Sequence, residues 1–172
     1  QIYALRKFGF KLFYGDASRV DLLEAAGAST AKVLVVAVDE REKILEIAAV
    51  AKKHFPHLKI FARAFDRVHA YHLINLGVSN VHREVFSSSV DMGEQVLVAL
   101  GQHPFEAHRA AKTFKDFDEK VLRETARHTG DMEKLVDIAR QSRAELSRVL
   151  AGDRTTRPVN IDQAWEDNDG RS

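Results

Sequence analysis

Val33-Leu34-Val35-Val36-Ala37-Val38 is an unbroken apolar run, and Asp39 ends it. Six consecutive apolar residues rich in Val read as a strand of a parallel sheet, buried on both faces. Asp39 with Glu42 three residues on signals a helix start, and that helix runs to about Phe55 with Ile44, Ile47, Ala48 and Ala51 on one face. Working outward, Lys59–Ala64 is the next strand. Asp66 caps a helix that ends at Leu76 and Gly77, and Val78–Val81 is a short last strand. On the other side, Lys11–Tyr14 reads as a strand left through Gly15-Asp16-Ala17-Ser18, and Ser18 with Asp21 opens a helix to about Ala26. Strands alternating with helices predict an α/β fold, a Rossmann-like doubly wound parallel sheet.

The four strands fit positions 3 to 6 of the order 3-2-1-4-5-6, because a full nucleotide-binding half opens on a G-x-G-x-x-G turn that this chain lacks. The sheet is therefore expected to lack its first strands, with a gap between Lys11–Tyr14 and Val33–Val38 for upstream residues or another chain to fill. Ile2, Leu5 and Phe8 share a helical face closed by Gly9, and no capping residue precedes them; this too is read as a chain that starts inside its own fold. Residues 1–86 are taken as this partial domain.

Residues 87–152 are helical in pattern. Ser87–Leu100 carries Val90, Val96, Leu97 and Leu100. A helix from Pro104 to about Thr129 carries Ala107, Ala110, Ala111, Phe114, Phe117, Val121 and Leu122, and one from Met132 to Leu150 carries Leu135, Val136, Ala139, Leu146 and Val149. Such long stripes need a cover, either the chain's own sheet or a second copy; a homodimer is the favoured reading. The polar stretch 153–172, with Arg157-Pro158 and Trp165, reads as a mostly disordered tail.

Composition narrows the chemistry. The 172 residues carry 26 Lys plus Arg against 25 Asp plus Glu, a net charge of +1, which gives no electrostatic case for a nucleic-acid partner. The absence of cysteine excludes disulfides, a thiolate nucleophile and Cys-based metal sites within this sequence. No apolar run reaches the roughly 20 residues that span a bilayer. Among the eight histidines, His54 with His57 and His69 with His72 are paired, but neither pair has the Glu or third ligand of a zinc motif, so no metal is expected. No nucleophile–base arrangement is visible, and the chain is read as a non-enzyme.

Ligands in such sheets sit beyond the carboxyl ends of the strands. That rule selects Gly15, Asp16 and Ala17 as the lining of an adenine-side pocket, Asp39 after the second strand, and Arg63 near the end of the third. Each has a plainer account: a turn, a helix cap and a structural ion pair. Arg83 follows the last strand beside Glu84, where an exposed surface pair is the plain account.

The stretch Leu5-Arg6-Lys7-Phe8-Gly9-Phe10-Lys11-Leu12-Phe13-Tyr14-Gly15-Asp16-Ala17-Ser18, with Asp21-Leu22-Leu23-Glu24-Ala25-Ala26-Gly27-Ala28, resembles the cytosolic regulatory domain (RCK/KTN-type, TrkA-N-like) of the glutathione-regulated potassium efflux (Kef) antiporter family. The similarity continues through His54-Phe55-Pro56-His57-Leu58, Ala62-Arg63-Ala64, Arg83-Glu84-Val85-Phe86, Leu100-Gly101, Glu106 and Arg109, over roughly residues 1 to 150. Other potassium-conductance regulatory domains share only the Gly-Asp and Ala-Arg-Ala elements. The resemblance implies a homodimer attached to a transmembrane antiporter part at the cytoplasmic face of the bacterial inner membrane. It implies an adenine nucleotide, AMP or NAD(H), in the Rossmann crevice and glutathione near the dimer interface. Glutathione would hold the system closed and its adducts would open it, with a flavin-type quinone oxidoreductase as ancillary subunit. By position it makes Arg83 a glutathione contact and Phe8 the aromatic that senses adduct bulk. Asp118 falls where one branch of the family has Asn, and is expected to accept from the ligand's ammonium. The phosphate-binding turn, the acidic ribose ligand and a further arginine would lie upstream of Gln1. Two other readings are a nucleotide-responsive domain of a potassium channel or uptake system, and a fragment of a nicotinamide-dependent oxidoreductase, for which two helices and a tail leave too little substrate domain.

Overall fold

In the computed structural model residues 12–155 are described. The expected helix over Ile2–Phe8, residue Lys11, and 156–172 with Trp165 lie outside them. Three parallel strands, β1 (Val33–Val36), β2 (Lys59–Ala64) and β3 (Asn80–Arg83), form a sheet in the order β1-β2-β3. Val33 registers with Lys59, and Phe61 with Asn80. Helix α1 (Val20–Ala25) precedes β1, α2 (Arg41–His54) joins β1 to β2, and α3 (Arg67–Asn75) joins β2 to β3. Then come α4 (Phe86–Ala99), α5 (Pro104–Ala126) and α6 (Met132–Thr155). The sequential order is the one expected of strands 4, 5 and 6 of a doubly wound sheet.

Three expectations change. Leu12–Tyr14 is not a strand; no described strand lies beside it, and a strand exists only through the ladder it shares with a neighbour. Val33–Val38 is shorter as a strand and buried on one face only. Val36 is 2% exposed, whereas Val35 is 68% exposed. Helices α2 and α3 cover the face bearing Val36, Ile60, Ala62 and Ala64, and among the described residues no helix packs on the face bearing Val33 and Val35. Third, α6 continues through Thr155, three residues into the stretch read as tail.

Two expected caps also differ. Ser18 does not cap α1: its backbone N–H and hydroxyl both donate to Asp16 Oδ1, at 2.9 and 2.8 Å, a local turn that competes with capping. Asp39 does not cap α2, whose N-cap is Glu40 without a side-chain bond, because the Asp39 carboxylate is turned to an arginine described below. Asp66 does cap α3, accepting from the His69 N–H at 2.8 Å. At the other end of α3, Gly77 holds φ at +82°, letting its own N–H and that of Val78 reach the Ile74 and Leu73 carbonyls.

The core is one cluster in which α2 supplies Ile44, Ile47, Ala48 and Ala51, α3 supplies Ala70 and Leu73, and α5 contributes Leu122. The apolar stripe of α5 thus folds back on its own chain, against α3 and α4 rather than on the sheet. Polar ties fix it there: the Arg123 guanidinium donates to the Ser79 carbonyl at 3.3 Å, and Asn75 Nδ2 donates to Thr129 Oγ1 at 3.1 Å. This brings the middle of α5 over the carboxyl end of β3.

Candidate functional site

The carboxyl ends of the strands carry two charged groupings. The first is at β1 and β2. Arg63, on the face of β2 that no described helix covers, donates through Nη2 to Asp39 Oδ1 at 2.6 Å and to the Val38 carbonyl at 2.8 Å, and lies 3.8 Å from a Glu84 oxygen. Its guanidinium sits 4.9 Å from the Phe65 ring centroid. The structural pairing expected as one of two accounts of Arg63 is therefore present. Its buried Nε has no acceptor among the described residues. Asp16 stands apart, held by Ser18 and reached by Lys43 Nζ from α2 at 3.4 Å. The Ser18 bonds, with Lys43 behind them, hold the Asp16 carboxyl below its usual range. Gly15 at φ +152° brings the loop against Leu22, and Ala17 packs on the core. The loop Gly15–Ala17 and the Asp39–Arg63 pair are not hydrogen-bonded to each other; Lys43, one turn into the helix after Asp39, reaches the loop.

The second grouping is at β3. The Asp118 carboxylate on α5 receives Arg83 from the end of β3 on Oδ2 and Arg67 from the first turn of α3 on Oδ1, the latter at 2.6 Å. Side-chain exposures are 15% for Asp118, 11% for Arg83 and 34% for Arg67, so this is a largely desolvated ion cluster. The Arg83 guanidinium also lies 3.7 Å over the Phe86 ring. Burial works against the Arg67 charge, but Asp118, helped by the Tyr71 hydroxyl 2.7 Å from Nε, outweighs it and raises the guanidinium pKa.

Arg83 and Asp118, 35 residues apart, are thus brought together. One expectation about them needs correcting. Arg83 is not in an exposed pair with Glu84; β3 ends so that Arg83 points to α5 while Glu84 points to Arg63. Each Asp118 oxygen already accepts from one guanidinium, so a ligand ammonium would share the carboxylate with Arg67 and Arg83. Phe8 lies outside the described residues. Sequence reasoning missed Arg67 and Lys43. The strand-end rule could have found Arg67, since Asp66-Arg67 follows β2 after Phe65 alone, but nothing in one sequence pairs it with a residue 51 positions later. Beside Arg83 a cleft of about 170 Å³ opens between β3, α4 and α5, lined by Ser87, Lys115, Asp116 and Glu119 among others.

Next to these groupings, Asp66 is bridged by both Arg41 amino groups. That pair, together with the His69 N–H, lowers its pKa to about 2. His69 is fully buried, accepts from the Phe65 N–H at 3.3 Å through Nδ1, and has its pKa lowered by burial. Both shifts have the same sign. Each group's stability is present above its unfolded pKa and lost as pH falls through the folded one. Stability should therefore decline in two stages, from about pH 6.5 downward for His69 and between about pH 4 and 2 for Asp66. Asp66 is half exposed, so solvent screening limits its stage to about 1 kcal/mol. Urea midpoints across pH check this: Asp66→Asn should flatten the lower stage while the upper one persists and deepens, because the Asp66 charge partly offsets the lowering of the His69 pKa. His57 is held by the protein itself, with Nε2 3.1 Å from the Ala28 carbonyl. No group of three or more His, Asp or Glu with metal-site geometry occurs among the described residues.

Comparisons with known proteins bear on the same regions. Residues 1–84 match the TrkA-N domain family, and residues 88–168 match the C-terminal domain of the potassium efflux system KefB. A solved structure, the Kef C-terminal domain of Shewanella denitrificans in an AMP-bound form, is 51% identical, with a TM-score of 0.65; the match covers 67% of this chain and 73% of that one. Among the described residues no helix is long and apolar enough to cross a membrane. A three-stranded parallel sheet in sequential order, and identity at this level across two thirds of both chains, together place this chain in the Kef family, as the C-terminal regulatory domain of a potassium efflux system.

Proposed function

We propose that the domain is a cytosolic ligand sensor that gates a potassium/proton antiporter by binding glutathione and its adducts. The observation that carries this reading is the cleft at Arg83. It sets two cations, Arg83 and Lys115, beside two carboxylates, Asp116 and Glu119. Glutathione carries two carboxylates and one ammonium, and a guanidinium grips a carboxylate bidentately. Asp118 then holds Arg83 in place and shares its carboxylate with the ligand's ammonium. At about 170 Å³ the cleft is below the usual range of roughly 300–1,000 Å³ for a ligand pocket, so a second copy of the chain would complete it. Residues 87–152 serve as the dimerisation region and residues 1–86 as the nucleotide-binding part, with Phe8 reading adduct bulk. Glutathione holds the dimer in its closed arrangement and adducts shift the population to the open one. The antiporter lies in the bacterial inner membrane, with a flavin-type quinone oxidoreductase as ancillary partner.

The AMP bound by the relative supports an adenine nucleotide in the crevice of this chain, against Gly15, Asp16, Ala17, Asp39 and Arg63. Arg63 supplies a fixed positive charge and Asp39 a ribose-hydroxyl acceptor. The domain has a binding role and no reaction centre.

Calorimetry tests the reading. Glutathione should bind the full chain saturably, and Arg83→Ala should weaken it at least tenfold, the cost of a charge-assisted bidentate contact. A chain that ignores both glutathione and its succinyl-type adducts overturns the gating claim. Unchanged affinity in folded Arg83→Ala overturns the assignment of that residue alone.

A further inference from the structure

A second cavity, of about 400 Å³, lies between α3, α5 and α6, on the far side of Asp118 from the Arg83 cleft. Its walls are apolar and aromatic, chiefly Tyr71, Phe114 and Phe117 with Leu135 and Leu146. Its polar lining is Arg67, Tyr71, Asp118, Thr125, Ser142 and Arg143, two cations against one anion. Arg67 stands at the Asp118 end, and Arg143 on α6 stands exposed at the cavity's edge. Arg143 has no hydrogen-bond or ion-pair partner among the described residues. With Asp118 counted, the titratable lining sums to one positive charge. An apolar chamber of this size with a spare guanidinium at its edge suits one kind of small molecule. That molecule has a hydrocarbon or aromatic body to displace water from the walls and a single anionic head to meet Arg143.

We propose that this cavity binds an amphipathic organic anion, a carboxylate with an apolar body of about eight to ten carbons. The site is separate from the glutathione cleft and does not depend on that reading. It does share an ion cluster with it: Arg67 lines the cavity and donates to the same carboxylate that holds Arg83.

Octanoate is the probe, with octanol as its uncharged counterpart, each titrated calorimetrically into the full chain. Octanoate should bind saturably with one site per chain and at least tenfold more tightly than octanol. Arg143→Ala should weaken octanoate at least fivefold and leave octanol unchanged; that residue is exposed and unpaired, so its loss does not threaten the fold. Ala139→Phe, which fills the cavity from α6, should abolish binding of both while the unfolding temperature stays within a few degrees of wild type. Equal affinities for octanoate and octanol would overturn the anionic head, and full binding by Ala139→Phe would overturn the location. No heat with either probe would mean that residues beyond 155 or a second copy occupy the cavity, which also overturns the proposal. None of these outcomes alters the expected glutathione titration.

Discussion

Asp118→Ala should cost about 3–5 kcal/mol of stability, the usual penalty for stranding buried charges by removing one partner. The reason is geometric. Arg83 and Arg67 reach the carboxylate from the end of β3 and the start of α3, and both guanidiniums would be left facing each other across the vacated site. Arg83, at 11% side-chain exposure, cannot turn to water without leaving the Phe86 ring it rests on. The measurement is urea denaturation with a thermal scan beside it. At roughly 2–4 °C per kcal/mol for a chain of this size, the midpoint should fall by about 10 °C. Asp118→Asn keeps one carbonyl acceptor and should lose less. In an Arg67→Met background Asp118→Ala should lose less again, because only one cation is then stranded. A change within about 0.5 kcal/mol for Asp118→Ala would show the cluster to be solvated, and Asp118 would then not be what holds Arg83 in position. Under the proposed function, Asp118 holds Arg83 through Nη2 alone, which leaves the other guanidinium donors to meet a ligand carboxylate.

Leu73→Ala should cost about 3 kcal/mol. The side chain is fully buried in α3, in the cluster that joins α2, the sheet and α5. Leu-to-Ala changes at such sites cost roughly 2–5 kcal/mol, through lost burial and the cavity left behind. In this helix collapse is hindered, since the Leu73 carbonyl also accepts the Val78 N–H at the Gly77 turn and so fixes the backbone. Leu73→Met, which conserves volume, should cost under about 1.5 kcal/mol. Chemical denaturation separates the two. The effect reaches the site as well, because α3 carries Arg67 at its first turn and Leu73 anchors its other end. Leu73→Ala should therefore weaken glutathione binding, though less than Arg83→Ala does. If stability is lost with affinity intact, α3 does not position the cluster.

Much of the α/β layout was legible in the residues. Lys59–Ala64 is the strand expected, with the same bounds, because Pro56 before it and Asp66 after it are punctuation that tertiary packing rarely overrides. Helix α2 presents Ile44, Ile47, Ala48 and Ala51 to the core as its periodicity requires. The Pro104 start of α5 follows from a missing N–H that a first turn does not need. Misreadings fall where a residue has two local options. Ser18 and Asp39 had capping spacing, but each found a stronger partner: the Ser18 hydroxyl donates to Asp16, and the Asp39 carboxylate takes a guanidinium donor. For Asp39 that donor is Arg63, 24 residues away. Lys11–Tyr14 had strand composition, and composition cannot supply the neighbouring strand that a ladder needs.

The candidate site divides the same way. The strand-end rule and the family resemblance pointed to Arg83, Asp118, Asp39 and Arg63 one at a time. Only the tertiary structure sorted them into pairs: Arg63 with Asp39, and Arg83 with Asp118 and Arg67. The run that begins with Val33 shows the boundary most plainly. Its residues alone determined a parallel strand between two helices, because local pattern and chirality leave few alternatives for strand–helix–strand units. Whether both its faces are buried depends on what packs against each, and that is a property of the assembled layers. Val36 is enclosed on the face that α2 covers while Val35, one residue earlier, faces outward, since a strand's two faces alternate and each needs its own cover.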